Sequence, residues 1–208
     1  ITNDTVAIIG HVRFATNGDP FHNENNHPLK SGNIVGVHNG MIFNYLAMKS
    51  WYSQNDIEVD SQAIFDAINT KIKTGISPID SIGETLEEAD GNMAIVVADN
   101  SRPDAVYLAR DTNRPLVYLY NSKDNVLWIA STGAILRSAN ISNTDSDIPK
   151  MLDPNSIARI DKSTVDKFAN NHIKFLRTFY WGNNPRVKEI IPILTQLERR
   201  GYARTRDF

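Results

Sequence analysis

The 208-residue sequence contains no cysteine. Disulfide bonds, thiolate metal sites and a cysteine nucleophile are therefore excluded within these residues. An excess of either charge is also missing, since 22 Lys and Arg stand against 24 Asp and Glu, with a formal net charge of -2 and a pI near 6.2. Because sequence-independent binding to nucleic acid needs a basic surface, we expect no nucleic-acid partner.

Long apolar runs are absent as well. Runs such as residues 93–98 have the length of a buried strand and fall far short of the roughly 20 residues that a bilayer-spanning helix needs, so we expect no membrane partner. With 41% hydrophobic and 22% charged residues and a mean hydropathy of -0.35, the composition is typical of a globular protein. The length predicts one ordinary domain, and a start at Ile1 rather than Met indicates an internal beginning.

Runs of β-branched and apolar residues predict the strands. We expect one strand, or two abutting strands, over residues 5–16, and a short strand at 34–38 that a tight turn at Asn39-Gly40 separates from another strand. Closely spaced turns predict antiparallel pairing of four further strands, at residues 93–98, 105–110, 116–120 and 126–130.

Apolar residues at helical spacing predict the helices. One helix follows Asp60-Ser61, either of which is a natural N-cap, and a second is opened by Ser77-Pro78. An apolar stripe over residues 187–197 predicts a third helix near the C-terminal end.

Three features are candidates for binding or catalysis, and each has a structural alternative. The guanidinium of Arg13 matches a carboxylate, such as that of an amino acid, or forms an ordinary salt bridge. Asn39-Gly40 is a hairpin turn, or supplies a side-chain amide and a backbone N–H to an oxyanion. Asp60 caps its helix, or faces the ammonium group of a ligand at the mouth of a cleft.

The histidines invite a metal-site hypothesis, because His11, His22, His27 and His38 are close in sequence. No helical H-x-x-x-H occurs and no acidic residue stands at a recognisable ligand offset, so we expect no metal. Thr2 is a further candidate, as an N-terminal nucleophile if Ile1 were removed.

Four motifs taken together point to a family. They are residues 10–18 (GHVRFATNG), 26–28 (NHP), 37–42 (VHNGMI) and 59–62 (VDSQ). In order and spacing they resemble the glutaminase domain of the class II glutamine amidotransferases, which are N-terminal-nucleophile (Ntn) hydrolases and include glucosamine-6-phosphate synthase and amidophosphoribosyltransferase. The likeness covers roughly the first 160 residues.

The resemblance implies a fold and a set of site residues. The fold is α+β, a four-layer αββα sandwich of two antiparallel sheets with helices outside, here without its first strands. Arg13 is implied to bind the α-carboxylate of glutamine and Asp60 its α-ammonium, while Asn39 and Gly40 form the oxyanion hole. The side chains implied to line the same pocket are Phe14, Thr16 and Asn17.

The family's mechanism uses an N-terminal cysteine, whose thiolate attacks the glutamine amide. We expect this nucleophile outside the chain, which is interpreted as an N-terminally incomplete glutaminase domain over residues 1–182 and a helical extension over 183–208. The implied partners are L-glutamine and a synthase domain or partner chain that supplies the acceptor site and the cysteine segment. No cofactor is implied, and the implied location is cytoplasmic.

Two other interpretations stay open at this point. A non-catalytic relative would keep the fold or the glutamine pocket as a binding or assembly module. A histidine-based metallohydrolase would instead contain a metal and lose its activity with a chelator.

Overall fold

The computed structural model describes residues 5–12, 18–53, 58–139, 148–166 and 175–178. Its strands are β1 (Leu29–Ser31), β2 (Ile34–Ile42), β3 (Gly91–Asp99), β4 (Ala105–Arg110), β5 (Val117–Asn121), β6 (Val126–Ala130), β7 (Lys150–Met151), β8 (Ser156–Asp161) and β9 (Phe175–Thr178). Its helices are α1 (Tyr45–Tyr52), α2 (Asp60–Lys73), α3 (Pro78–Glu88), α4 (Gly133–Ser138) and α5 (Lys162–Asp166). None of the helices in these ranges is long and apolar enough to cross a bilayer.

The strands form two sheets in which every described pairing is antiparallel. The larger sheet has the order β1-β2-β3-β4-β8-β9 and the smaller one the order β6-β5-β7. This architecture confirms the predicted α+β class with two antiparallel sheets.

Three apolar clusters separate four layers. The first cluster lies between the larger sheet and the three helices α1, α2 and α3. It contains Phe65, Ile68, Ile82 and Ile95. The second joins the two sheets, with Leu108 and Ala158 from the larger one and Tyr118 from the smaller one. In the third cluster, Leu136 of α4 packs against Val117 and Leu119 on the outer side of the smaller sheet. Burial on both faces of each sheet therefore accounts for the sandwich.

Helix α2 packs against β2, and this contact fixes the wall of the site described below. Ile64, Phe65 and Ile68 are fully buried at the predicted helical spacing. The ring of Phe65 occupies the space of a missing side chain, because a Cβ at Gly36 would lie 2.1 Å from its Cε1 atom. Glycine at this position in β2 therefore permits the close approach of helix and strand.

The helix starts were predicted in part. Helix α3 begins as expected, with Ser77 as N-cap accepting a hydrogen bond from the Asp80 N–H and Pro78 in the first turn. The expected cap of α2 was wrong, because Val59 is the N-cap and neither Asp60 nor Ser61 caps the helix. The carboxylate of Asp60 is instead engaged by the backbone of β2.

The expected strand over residues 5–16 was wrong for its described part. Residues 5–12 form neither helix nor strand, and the side chains of Val6, Ile8 and Val12 are exposed. Strand propensity alone does not make a strand, since the backbone needs a neighbour for its hydrogen bonds, and no described strand pairs with this segment. The predicted helix over residues 187–197 and the extension at 183–208 lie outside the described residues.

Candidate functional site: a cleft between β2 and α2

A cleft of about 290 Å³ lies where β2 meets the start of α2. It is lined by His11, Val12, His27, His38, Asn39, Gly40, Val59, Asp60, Ser61 and Arg114. Three residues predicted from the sequence, Asn39, Gly40 and Asp60, therefore lie together. The others, Arg13, Phe14, Thr16 and Asn17, lie outside the described residues, as does Thr2.

The expected tight turn at Asn39-Gly40 was wrong, as was the predicted end of the strand at residue 38. Both lie inside β2, where Asn39 is opposite Ala94 and Gly40 opposite Met93 of β3. Nine consecutive residues of each strand pair in this register, and this long ladder overrides the turn preference of an Asn-Gly pair.

Gly40 cannot carry a side chain in this conformation. Its φ of +155° is one that L-residues rarely adopt, and a Cβ would lie 1.7 Å from the carbonyl oxygen of Asn92. A glycine is needed here because the backbone of β3 lies too close for a side chain, and not because the chain turns.

The backbone N–H of Gly40 points away from β3. Met93 of β3 lies directly opposite Gly40. Its N–H donates to Asp111 Oδ2 at 3.0 Å, and its carbonyl accepts from the Asp111 N–H at 2.8 Å, both on the side of β3 that faces away from β2. In an antiparallel ladder this makes Gly40 and Met93 a pair that exchanges no hydrogen bonds. Strand β1 pairs only as far as Gly36, so the Gly40 N–H faces the part of the β2 edge that β1 does not cover.

Asp60 lies on the side of β2 to which the Gly40 N–H points. Its Oδ2 atom accepts a hydrogen bond of 2.7 Å from the N–H of Ile42, which points to the same side as that of Gly40 because the two residues are two apart in the strand. Asp60 is only 3% exposed. This bond fixes the carboxylate and leaves its Oδ1 atom available to a ligand. A buried carboxylate in a cleft is suited to bind a cationic group.

His38 and Ser61 brace this wall of the cleft. The Nε2 atom of His38 is 3.1 Å from the carbonyl oxygen of Asn92 and its Nδ1 atom 2.8 Å from the Ser61 hydroxyl. Because a carbonyl only accepts, Nε2 carries the proton and Nδ1 of the neutral ring accepts from Ser61. The Ser61 proton is then directed to His38 rather than to Asp60 Oδ1, which is 3.4 Å away.

The environment of His38 favours its neutral form. Burial lowers the pKa of His38 below its ordinary value of 6.5, and the charges of His11 and Arg114 act in the same direction, while Asp60 and the Asn92 carbonyl oppose them. The ring therefore stays neutral near pH 7 and keeps the hydrogen-bond directions just described.

Comparison with known proteins assigns the chain to a family. A family model described as a glutamine amidotransferase domain matches residues 11–138, well over half of the chain. The chain belongs to the glutamine amidotransferase domain family. The match covers Asn39, Gly40, Asp60 and Arg114 and includes every residue that lines the described cleft.

Relatives of this glutamine amidotransferase domain are longer proteins. The chain is 34% identical over 116 residues to the glutamine–fructose-6-phosphate aminotransferase (isomerizing) of Streptococcus mutans, and the match covers 53% of this chain and 19% of the relative. With the Bacillus subtilis protein of the same name, the identity is 28% over 197 residues, covering 83% of this chain and 32% of the relative. The chain thus spans at most about a third of these relatives.

Solved structures show the same fold. The glutamine phosphoribosylpyrophosphate amidotransferase of B. subtilis superposes with a TM-score of 0.57 at 20% identity, covering 80% of this chain and 34% of that one. A structure described as the allosteric regulatory enzyme of purine biosynthesis gives a TM-score of 0.54 at 18% identity, covering 74% and 31%. This likeness supports the αββα sandwich that the motif resemblance implied.

The clustered histidines take different positions in the amidotransferase domain. His11, His27 and His38 line the cleft, with the rings of His11 and His27 4.5 Å apart, whereas His22 is on the surface, 3.8 Å from Glu58. Across the described ranges, no group of three or more His, Asp or Glu side chains is placed to hold a metal ion.

Arg114 is a cleft residue that the sequence analysis missed. It ends a tight turn in which Asp111 Oδ1 accepts from the N–H groups of Asn113 and Arg114, each at 2.8 Å. The available signal was the Asp-x-Asn sequence directly after β4, which is typical of a side-chain-stabilised turn.

A larger groove of about 910 Å³ runs along the other side of α2, lined by residues of the 23–32 segment and by Gln62, Asp66, Asn69 and Lys73. Size alone would favour it as a ligand site. It contains none of the predicted site residues among its described lining, so we place the candidate site in the smaller cleft.

Proposed function

We propose that the cleft binds L-glutamine and holds its side-chain amide for hydrolysis to glutamate and ammonia. The observation that carries the proposal is the convergence of Asp60, Asn39 and the Gly40 N–H on one cleft of about 290 Å³. An anionic group for the ammonium and two donors for the amide oxygen complement an amino acid with a side-chain amide.

Residues 13–17 are proposed to bind the carboxylate end of the ligand. We propose that Arg13 pairs with the α-carboxylate and that Phe14, Thr16 and Asn17 line the pocket around it. Val12, the preceding residue in sequence, lines the cleft, which supports this placement. A guanidinium matches a carboxylate with two parallel hydrogen bonds.

The nucleophile and the acceptor are proposed to come from outside these residues. The 208 residues contain no cysteine to attack the amide, and the chain spans at most about a third of the relatives described above. Those relatives are named for transfer to fructose 6-phosphate or phosphoribosylpyrophosphate. A synthase domain or a partner chain would supply the corresponding acceptor site here. A cytoplasmic location stays a prediction from the sequence.

The lack of cysteine also favours a second candidate, a binding or assembly module that retains the glutamine pocket without chemistry. Intact mass and N-terminal sequencing of the natural protein separate the two. An additional segment that begins with cysteine supports hydrolysis, whereas a natural start at Ile1 without a companion chain supports the binding module.

Replacing Asp60 by Asn tests the binding proposal. The amide oxygen of the substituted side chain can still accept from the Ile42 N–H, so the backbone contact is retained while the charge that faces the ammonium is lost. We expect L-glutamine affinity, measured by titration calorimetry, to fall by about 30-fold, the loss typical of a charged hydrogen bond.

The matched control is Asp66→Asn on the same helix, because the Asp66 carboxylate contacts Ser53 and Gln62 in the larger groove. It should leave the affinity within about twofold of the parent. Equal affinity of the parent and Asp60→Asn for glutamine would remove Asp60 from the proposed site.

A further inference from the structure

Arg114 lines the cleft and has an unsatisfied donor. Its Nε atom is buried and finds no hydrogen-bond acceptor within the part of the chain that the structure describes. Arg114 and Asp60 line the same cleft, yet no ion pair within 4.0 Å joins these two described residues. A buried guanidinium donor without a partner is costly, and an anionic ligand group would satisfy it.

The backbone of Arg114 is held from two neighbouring strands. Arg110, at the end of β4, donates from Nη1 to the Arg114 carbonyl at 2.9 Å and from Nε to the Leu152 carbonyl at 2.7 Å. Asp111 accepts from the Arg114 N–H through Oδ1 and from the Met93 N–H of β3 through Oδ2. The turn is therefore preorganised before any ligand arrives.

The turn lies level with the oxyanion donors rather than with Asp60. Asp111 is hydrogen-bonded to Met93, and Met93 lies opposite Gly40 on β2. Asp60 is bonded to Ile42, which is two residues, or about 7 Å, further along the strand. Along β2, the turn that carries Arg114 is thus level with Gly40, and the Asp60 contact lies further along the strand.

We propose that Arg114 contacts the side-chain end of the bound amino acid and makes the cleft prefer glutamate over glutamine. Hydrolysis adds water to the amide, releases ammonia and leaves a second carboxylate at this end. The guanidinium is a better partner for that carboxylate than for the neutral amide. The inference rests on the proposed function and deepens it by assigning a residue that retains the product.

The test compares the affinities of L-glutamate and L-glutamine, measured by calorimetry with the 208-residue chain and with Arg114→Gln. We expect Arg114→Gln to weaken glutamate binding by about 10-fold or more and glutamine binding by less than about threefold, because only glutamate presents a charge to the missing cation. Arg114→Lys, which keeps the charge without the planar fork, should give an intermediate glutamate affinity.

Arg102→Gln is the matched control, because it removes the same charge from an exposed position in the turn between β3 and β4. It should leave the ratio of the two affinities unchanged, and the melting temperature of each variant reports whether it is folded. An equal loss for both ligands, or no loss for either, would overturn the role of Arg114. If the parent bound neither ligand, the proposed function itself would fail and this inference with it.

Discussion

At the scale of residues, His38 connects the conformation of β2 to the start of α2. Its ring bridges the Asn92 carbonyl and the Ser61 hydroxyl, and the same carbonyl excludes a side chain at Gly40. The histidine therefore supports the strand that presents Asn39 and Gly40 and, through Ser61, leaves Asp60 Oδ1 to a ligand. These contacts explain in structural terms why a histidine precedes Asn39 and Gly40 in the His-Asn-Gly motif.

The stability of the chain should depend on pH through His38. Its folded-state pKa is lowered by burial, so the unfolded state binds a proton more readily once the pH falls below the ordinary value of 6.5. This contribution is present above pH 6.5 and is lost as the pH falls through the lowered pKa. As the pH falls from 7.5 to 5.5, we expect the free energy of unfolding to decrease by about 1 kcal/mol because of this group.

Urea unfolding of the parent and of His38→Gln at both pH values measures the effect. Glutamine keeps hydrogen-bonding groups but does not titrate, so the variant should lose about 1 kcal/mol less than the parent on acidification. The same pH dependence in both proteins would show that His38 is not held neutral by burial.

Single residues also mark the limit of prediction from sequence. The resemblance to the amidotransferase motifs predicted Asn39, Gly40 and Asp60 as site residues, and the structure places them on one cleft. Arg114 was missed because its position depends on Asp111, Arg110 and Met93, whose contacts join two strands and a turn. The roles of Asn39, Gly40 and Asp60, like those of Arg13, Phe14, Thr16 and Asn17, stay predictions.

At the scale of elements, the strongest local patterns were predicted best. Helices α2 and α3 combine apolar residues at helical spacing with nearby start signals, although only α3 begins with the cap that was expected, and β4 and β6 are apolar runs bounded by turn residues. Helix α1 was missed although Asn44, a residue type favoured at N-caps, precedes it, and β7 was missed because a two-residue strand leaves no periodic pattern. Asn39-Gly40 was ambiguous because local turn chemistry gives no information about a nine-residue partner strand.

Helices α1, α2 and α3 are joined by a buried polar cluster. Lys71 donates to Glu88 Oε1 at 3.0 Å and to the Tyr52 hydroxyl at 3.0 Å, and Tyr52 donates to Glu88 Oε2 at 2.5 Å. Glu88 is only 2% exposed. Removing the ammonium group would leave this carboxylate buried without its cation.

Lys71→Met should therefore lower the free energy of unfolding by about 3 kcal/mol, as is typical when one partner of a buried ion pair is removed. Lys73→Met, at an exposed position of the same helix, should change it by less than about 0.5 kcal/mol. In urea unfolding, the double variant Lys71→Met/Glu88→Leu should recover part of the loss. Similar stabilities for Lys71→Met and Lys73→Met would contradict a structural role for the cluster.

At the scale of the whole molecule, the layers determine where the cleft lies. The first apolar cluster fixes α2 on one face of the larger sheet, and the second fixes the smaller sheet on the other. The cleft forms at the end of this sandwich, where β2 continues past the short β1 and the turn after β4 carries Arg114 to the same level. Motif resemblance predicted this architecture, whereas composition alone indicated only a globular protein.

We expect one cleft to hold L-glutamine along its whole length, and a crystal structure of the chain with this ligand would show whether it does. The ligand ammonium should lie within hydrogen-bond distance of Asp60 Oδ1, and the amide oxygen should face Asn39 and the Gly40 N–H. Glutamine bound in the groove beside Asn69 and Lys73, or in this cleft with its amide toward Asp60, would contradict this expectation.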